Sequence, residues 1–200
     1  EFHALVGHAC RNAMPNEYPQ WQDISWERLD YPIIPQSWIT KPREDRSQGK
    51  MLRDLKAKLD HCDAIICATD SDAEGYGIYY LVCDFLKLRN MPTLRFIEHS
   101  LTDKEILHSL LTMTDLYQDP VHRCFMGSYL IRSRADWLYG LNLTMLMSTI
   151  TGTKKTVGRV KAPTIKLVYD RCNEIDHFVK KTYYEVAADY DGFKGKLVDE

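Results

Sequence analysis

Residues 68–87 read ATDSDAEGYGIYYLVCDFLK, with carboxylates at alternate positions, Asp70, Asp72 and Glu74, directly behind the apolar run Ala64-Ile65-Ile66-Cys67-Ala68. A short apolar run followed by polar residues and then a helical apolar pattern predicts a buried strand over 64–68 and a helix over about 74–88. Side chains at i and i+2 of an extended segment share a face, so Asp70 and Asp72 point the same way and Glu74 continues from the first helical turn. In open α/β sheets, ligands bind at the carboxyl ends of the strands. Two readings of the acidic run follow from spacing alone. Either the aspartates cap the helix and complement its dipole, or the three hard oxygen donors hold a cation such as Mg²⁺.

Outward from this stretch the strand-helix alternation continues. A helix is expected over 51–59, a strand over 94–98 and a helix from Thr102, where Thr102 and Glu105 have capping-box spacing. Alternation of this kind predicts an α/β unit with a parallel sheet covered by helices on both faces. Upstream, residues 1–49 hold five of the eight prolines and three of the four tryptophans. This predicts an ordered irregular connection, since proline removes backbone donors while tryptophan needs a surface to pack on. Downstream of Asp119 a long helical pattern runs to about 150, with a break expected near Gly140. A turn follows, and Pro163 suits the first turn of another helix reaching about Glu174. The segment 182–198 alternates around Asp191-Gly192, a hairpin signal. Three divisions are expected: 1–115, 116–178 and 179–200. A chain that stops as a hairpin forms reads as a piece of something longer.

Composition narrows the class. The 200 residues are 44% hydrophobic, enough for one good core, and the net charge of −2 provides no global field for nucleic acid. The six cysteines, at 10, 62, 67, 83, 124 and 172, form no C-x-x-C pair. They argue against a zinc site or a disulfide framework, and fit a reducing cytoplasm. No apolar stretch reaches the roughly 20 residues of a bilayer span, so no membrane partner is expected. Locally, residues 151–171 carry six basic side chains (Lys154, Lys155, Arg159, Lys161, Lys166, Arg171) against one acidic, Asp170. That is either a phosphate-neutralising patch or an ordinary solvated face. Arg132 and Asp136 stand at i,i+4, the spacing of a plain helical salt bridge. Tyr76, Tyr79 and Tyr80 read as packing residues with hydroxyls at the rim, and Trp137 and Tyr139 as core.

The acidic stretch resembles the D-x-D-x-E-G segment of the Toprim domain in type IA DNA topoisomerases. LVGHACRN with the Trp- and Pro-rich connection, IRSRADWLYGLNLT and TVGRVKAPTIKLVYDRC are similar to three further segments of that family, in order, and closest to its topoisomerase III branch. The resemblance implies a Toprim-type α/β domain, a helical DNA-binding domain and the start of a β-rich domain. It implies cleavage and religation of single-stranded DNA through a 5′-phosphotyrosine link, to relax or decatenate DNA, by a protein expected to be monomeric and cytoplasmic. Asp70, Asp72 and Glu74 become the implied catalytic residues and Mg²⁺ ligands. His8, Arg132, Asp136, Arg159 and Lys161 become DNA-site residues, with Asp136 orienting Arg132. The family's first Toprim strand is expected before residue 1 and its nucleophilic tyrosine beyond residue 200, so residues 1–200 alone are expected to be inactive. Ala73 stands where the family has arginine, Tyr76 where it has a second glutamate, and Lys161 where it has glutamine. Two other readings share the acidic loop: a catalytically silent Toprim DNA-binding protein, and another Toprim enzyme such as a primase or nuclease.

Overall fold

The structure is a computed structural model and describes residues 3–5, 7–88 and 90–197. It divides into two compact units, 1–159 and 160–200. In the first, β1 (Cys10–Asn12) pairs antiparallel with β2 (Thr40–Pro42), and α1 (Arg46–Leu59) follows. Next come β3 (Ile65–Cys67), α2 (Ala73–Leu86), β4 (Thr93–Arg95), α3 (Asp103–Leu111), β5 (Thr114–Asp115) and α4 (Pro120–Thr151).

The strands β3 and β4 are parallel, in register Ile65 to Thr93 and Cys67 to Arg95, and β5 closes the three-stranded sheet as an antiparallel edge. The α/β class read from the alternation is therefore present. An antiparallel edge strand on a parallel pair is a common ending for such sheets.

Helix α2 is the centre of the unit because it is apolar on two sides. One side meets the sheet and the start of α4 through Cys67, Tyr76, Tyr79, Cys83, Leu116 and Met126. The other packs with Ala9, Cys10, Leu52 and Tyr129 through Leu81 and Val82. Gly77 lets α2 and α4 touch, since a Cβ there would lie 2.2 Å from the Tyr129 ring. The helix stops at Lys87, which takes the left-handed conformation at φ 59°.

Helix α3 starts as its spacing predicts. Glu105 N donates to Thr102 Oγ1 at 3.4 Å, while Thr102 N is taken by Ser100 Oγ rather than by the Glu105 carboxylate. Helix α4 differs from expectation. It continues through Gly140 for 32 residues to Gly152, which ends it at φ 63°. A glycine costs a helix about 1 kcal/mol relative to alanine, which does not break a helix anchored along its length. The anchors are polar side chains that bind the backbone of irregular segments. Trp137 Nε1 donates to Ala13 O (3.0 Å), Ile33 N donates to Asn142 Oδ1 (2.6 Å) and Asn142 Nδ2 donates to Ile33 O (3.0 Å). These contacts give the Pro- and Trp-rich connection the order its composition predicts. Trp137 is half-buried, edge-on to Trp38 at 5.4 Å, whereas Tyr139 is 41% exposed and is not core.

In the second unit, α5 (Lys161–Asp176) has Pro163 in its first turn. The strands β6 (Ala187–Tyr190) and β7 (Phe193–Lys196) form the hairpin around Asp191-Gly192. Gly192 has φ 99°, a conformation that favours glycine. Val198, the end of the alternating run, lies outside the described residues.

Candidate nucleic-acid interface

The loop 68–72 leaves the carboxyl end of β3, as the alternation predicts, and is held from beneath by a residue the sequence reading did not single out. Arg95, the last residue of β4, is 1% exposed. Its guanidinium donates to Cys67 O (2.9 Å), Phe96 O (3.0 Å) and Asp70 O (2.6 Å), and lies 4.4 Å over the Tyr76 ring. Gly75 completes the fit from above, because a Cβ there would sit 2.2 Å from Asp70 O. The loop backbone is thus clamped between a buried cation and the first turn of α2. A basic residue ending a parallel strand beside the acidic loop is the signal that could have pointed to Arg95.

The Tyr76 hydroxyl is not at a rim. It donates to His122 Nδ1 (2.8 Å), His122 Nε2 donates to Thr114 Oγ1 (2.8 Å), and Thr114 Oγ1 donates to Asp119 Oδ2 (3.1 Å). The direction follows from the carboxylate, which can only accept, so each hydroxyl and ring nitrogen along the chain has one assigned role. Burial holds the His122 pKa below its ordinary value, and the Arg95 charge adds to the effect, against the opposing pull of Asp119. A neutral imidazole is what this chain of bonds requires. Tyr76 also stacks on Phe125 at 5.2 Å, so the residue that departs from the family pattern is a packing residue. Tyr79 is likewise buried, with its hydroxyl 3.0 Å from Thr93 Oγ1.

The three carboxylates have separate surroundings. Asp72 is the N-cap of α2, where Gly75 N donates to its Oδ1 at 2.8 Å, so the capping reading holds for this residue. Glu74 receives the Arg132 guanidinium on one oxygen and His8 Nε2 on the other at 2.8 Å. Asp70 is exposed. Their oxygens suit Mg²⁺ chemically, but as arranged they do not fit a resident ion. Among the described residues no group of three or more His, Cys, Asp or Glu side chains is placed to hold a metal.

Arg132 and Asp136 do not pair with each other. Arg132 reaches back to Glu74 and lies 5.9 Å from the Tyr129 ring centre, while Asp136 accepts from Arg159 Nε (2.5 Å) and Nη2 (3.4 Å). The i,i+4 bridge is replaced because each side chain finds a partner from another segment whose fork or carboxylate meets it better. Arg159 holds the Asp136 carboxyl below its usual range, and Asp136 raises Arg159 in turn. Burial, then Arg43 and Arg132, lower the His8 pKa. Arg132 and Arg159 line one open groove along α4, of about 690 Å³, with Cys124, Gly127, Ser128, Ile131 and Ala135. Lys161, at the start of α5, is exposed and belongs to the second unit. Of the basic run, Lys166 pairs with Asp170 and Arg171 with Glu174, as on an ordinary solvated helix.

Arg132 serves the acidic loop, Asp136 serves Arg159, Trp137 and Asn142 dock the irregular connection, and Thr144 accepts from Val157 N at 2.9 Å to fix the loop returning from α4. Against known proteins, residues 122–199 match the DNA topoisomerase family model. The chain is 34% identical to a DNA topoisomerase 3 of Salmonella typhimurium over 192 residues, 92% of this chain and 28% of that protein. It is 32% identical over 201 residues to one of Vibrio cholerae (92% and 29%) and 36% identical over 190 residues to one of Staphylococcus saprophyticus (90% and 24%).

Over nine-tenths of its length, then, the chain is similar to DNA topoisomerase 3.

The similarity covers the acidic loop as well as α4, and the chain spans between 24% and 29% of the length of these relatives. Among the described residues no helix is long and apolar enough to cross a membrane.

Proposed function

We propose that this chain supplies the acidic loop and the strand-binding helix of a type IA topoisomerase III-like enzyme. The whole protein would cut single-stranded DNA through a phosphotyrosine link, reseal it, and so relax or decatenate DNA. The observation that carries this reading is the meeting of two distant motifs: Arg132 on α4 touches Glu74 at the end of the acidic loop, and Arg159 lines the same groove as Arg132. The DNA relatives in whose names the activity stands support it. In this reading 1–115 is the Toprim domain, 116–178 the helical DNA-binding domain and 179–200 the start of a β-rich domain, in a monomeric cytoplasmic protein.

Each chemical role follows from the side chains. Arg132 and Arg159 bind backbone phosphates as planar forks, which positions a strand without reading its sequence. His8 orients Glu74, and Asp136 holds the Arg159 fork in the DNA-free protein. Lys161 adds a cation at the start of α5, where the helix N-terminus also favours an anion. Asp70, Asp72 and Glu74 are the side chains that would meet Mg²⁺, whose chemistry is charge neutralisation at a phosphoryl centre. In the DNA-free protein the three carboxylates do not converge.

Two measurements test the proposal. A single-stranded oligonucleotide titrated into residues 1–200 without divalent ions should bind weakly and without base preference. Its log-log salt slope should be about 0.7 for each phosphate neutralised. Arg132→Ala and Arg159→Ala should each lower affinity and flatten that slope, while Asp72→Asn should bind tighter, since asparagine keeps the N-cap and loses only the charge. Full-length protein should form a covalent adduct with the DNA 5′-phosphate, and residues 1–200 alone should not. The silent-protein reading draws on the Tyr76 departure, and it takes over if full-length protein binds the strand yet forms no adduct with Mg²⁺ present.

A further inference from the structure

We infer that Glu74 and Asp136 hold, in the DNA-free protein, the places that two backbone phosphates take on Arg132 and Arg159, so that strand binding is an exchange of anions at both arginines. The inference rests on the phosphate-binding reading above and goes beyond it, because it assigns the two carboxylates a role in setting affinity.

The geometry supports it in three ways. First, each arginine bonds a carboxylate from a distant segment, and Arg132 does so in preference to Asp136, the partner its helical spacing offered. Arg132 bonds Glu74, 58 positions away, and Arg159 bonds Asp136, 23 positions away. Second, Arg159 presents Nε and Nη2 to the two oxygens of Asp136, the forked geometry by which guanidinium also takes a phosphate. Third, both pairs are exchangeable. The side chains are 45% and 41% exposed in one pair and 46% and 45% in the other, and exposed pairs of this kind are worth a factor of only roughly 1.5 to 5 in an equilibrium constant. A phosphate offering the same geometry displaces the carboxylate at small cost. His8 keeps its hydrogen bond on Glu74 when Arg132 turns away, so the released carboxylate stays at the mouth of the acidic loop.

Glu74 is engaged as a counter-ion until a strand takes Arg132. Coupling between two sites is reciprocal, so whatever draws Glu74 toward the loop also frees Arg132 for a phosphate.

The experiment is a double-mutant cycle on strand affinity, using a short fluorescent oligothymidylate without divalent ions over a range of NaCl. Glu74→Gln and Asp136→Asn should each tighten binding roughly 1.5- to 5-fold at low salt, and the gain should shrink as salt screens the pairs. The gain from Glu74→Gln should vanish in the Arg132→Ala background, and that from Asp136→Asn in the Arg159→Ala background. A gain that survives in those backgrounds would be general relief of repulsion, and overturns the exchange. Carboxamide variants that bind no better, while the arginine variants bind worse, would make the carboxylates orienting partners only; the exchange fails and the interface stands. Arginine variants that bind like wild type remove the interface itself. The two pairs share only α4, and each cycle uses its own variants, so either is informative even if a variant of the other misfolds.

Discussion

Arg95 and the pair Arg132 and Arg159 show two uses of the same side chain within one unit. Arg95 is buried, spends its guanidinium on three backbone carbonyls and lies over a tyrosine ring. Arg132 and Arg159 are half exposed, and each spends its fork on one carboxylate. A carbonyl bonded in the interior cannot be replaced by a ligand from solvent, whereas an exposed carboxylate can. The difference teaches which charge serves the scaffold and which serves a partner: location and partner type decide it, not the residue name.

The largest expected effect breaks the scaffold side of this contrast. Gly77→Ala drives a methyl into the Tyr129 ring and should destabilise by about 3 kcal/mol in a urea titration. Gly49→Ala in α1, whose nearest neighbour is the end of the flexible Arg53 side chain at 3.7 Å, should instead stabilise by about 0.5–1 kcal/mol. A comparable gain at both positions would show that helix propensity, not the α2 to α4 contact, governs the result.

Arg95→Met comes next. It removes the Arg95 donor from Asp70 O and Phe96 O, while Cys67 O keeps the Phe96 N–H at 3.0 Å, and charged hydrogen bonds of this kind are worth about 1.5–3 kcal/mol. The loss should appear in denaturant melts and as faster amide exchange in 68–72. Arg132→Ala should change stability by less than about 1 kcal/mol, in keeping with an exposed pair, while weakening strand binding. Equal stability losses in the two variants would erase the distinction drawn above.

A pH titration sharpens the same contrast more gently. Burial lowers the His122 pKa in the folded state, so the unfolded chain takes up the proton first. Stability from this group is complete above its unfolded value of about 6.5 and falls as pH drops from there toward the folded value. His8 is shifted the same way and adds to the trend. His122→Gln should lower stability at neutral pH and flatten the acid leg in thermal melts. An unchanged acid leg would place its origin elsewhere.

How far the sequence spoke depends on the range of the interaction. Helix starts are local, so Thr102, Asp72 and Pro163 announced α3, α2 and α5 within a residue or two. Strands β3 and β4 were legible from alternation, whereas β1 and β2 lie within residues 1–49, which composition read as an irregular connection. The antiparallel β5 was not, because two residues, Thr114 and Asp115, carry no period to read. The break expected at Gly140 failed for a long-range reason: Trp137 and Asn142 tie α4 to residues more than 100 positions away. In the site, the acidic residues and arginines were visible as motifs, but their partners were not. Spacing paired Arg132 with Asp136, and only the folded chain brings Glu74 and Arg159 close enough to compete. Arg95 was missed because its burial depends on Tyr76 and on the turn of the chain at Asp70.

The unbroken course of α4 has a mechanical consequence. Its seat on α2 is the contact between Gly77 and Tyr129, and from Tyr129 to Thr151 the helix extends about 33 Å at 1.5 Å per residue. A rod pivoting there through about 5° would carry its far end about 3 Å, yet would shift Arg132, some 4.5 Å along the axis, by about 0.4 Å. Trp137 and Asn142 oppose that swing by tying the outer half of α4 to Ala13 and Ile33, so the helix holds Arg132 beside the acidic loop as a braced post.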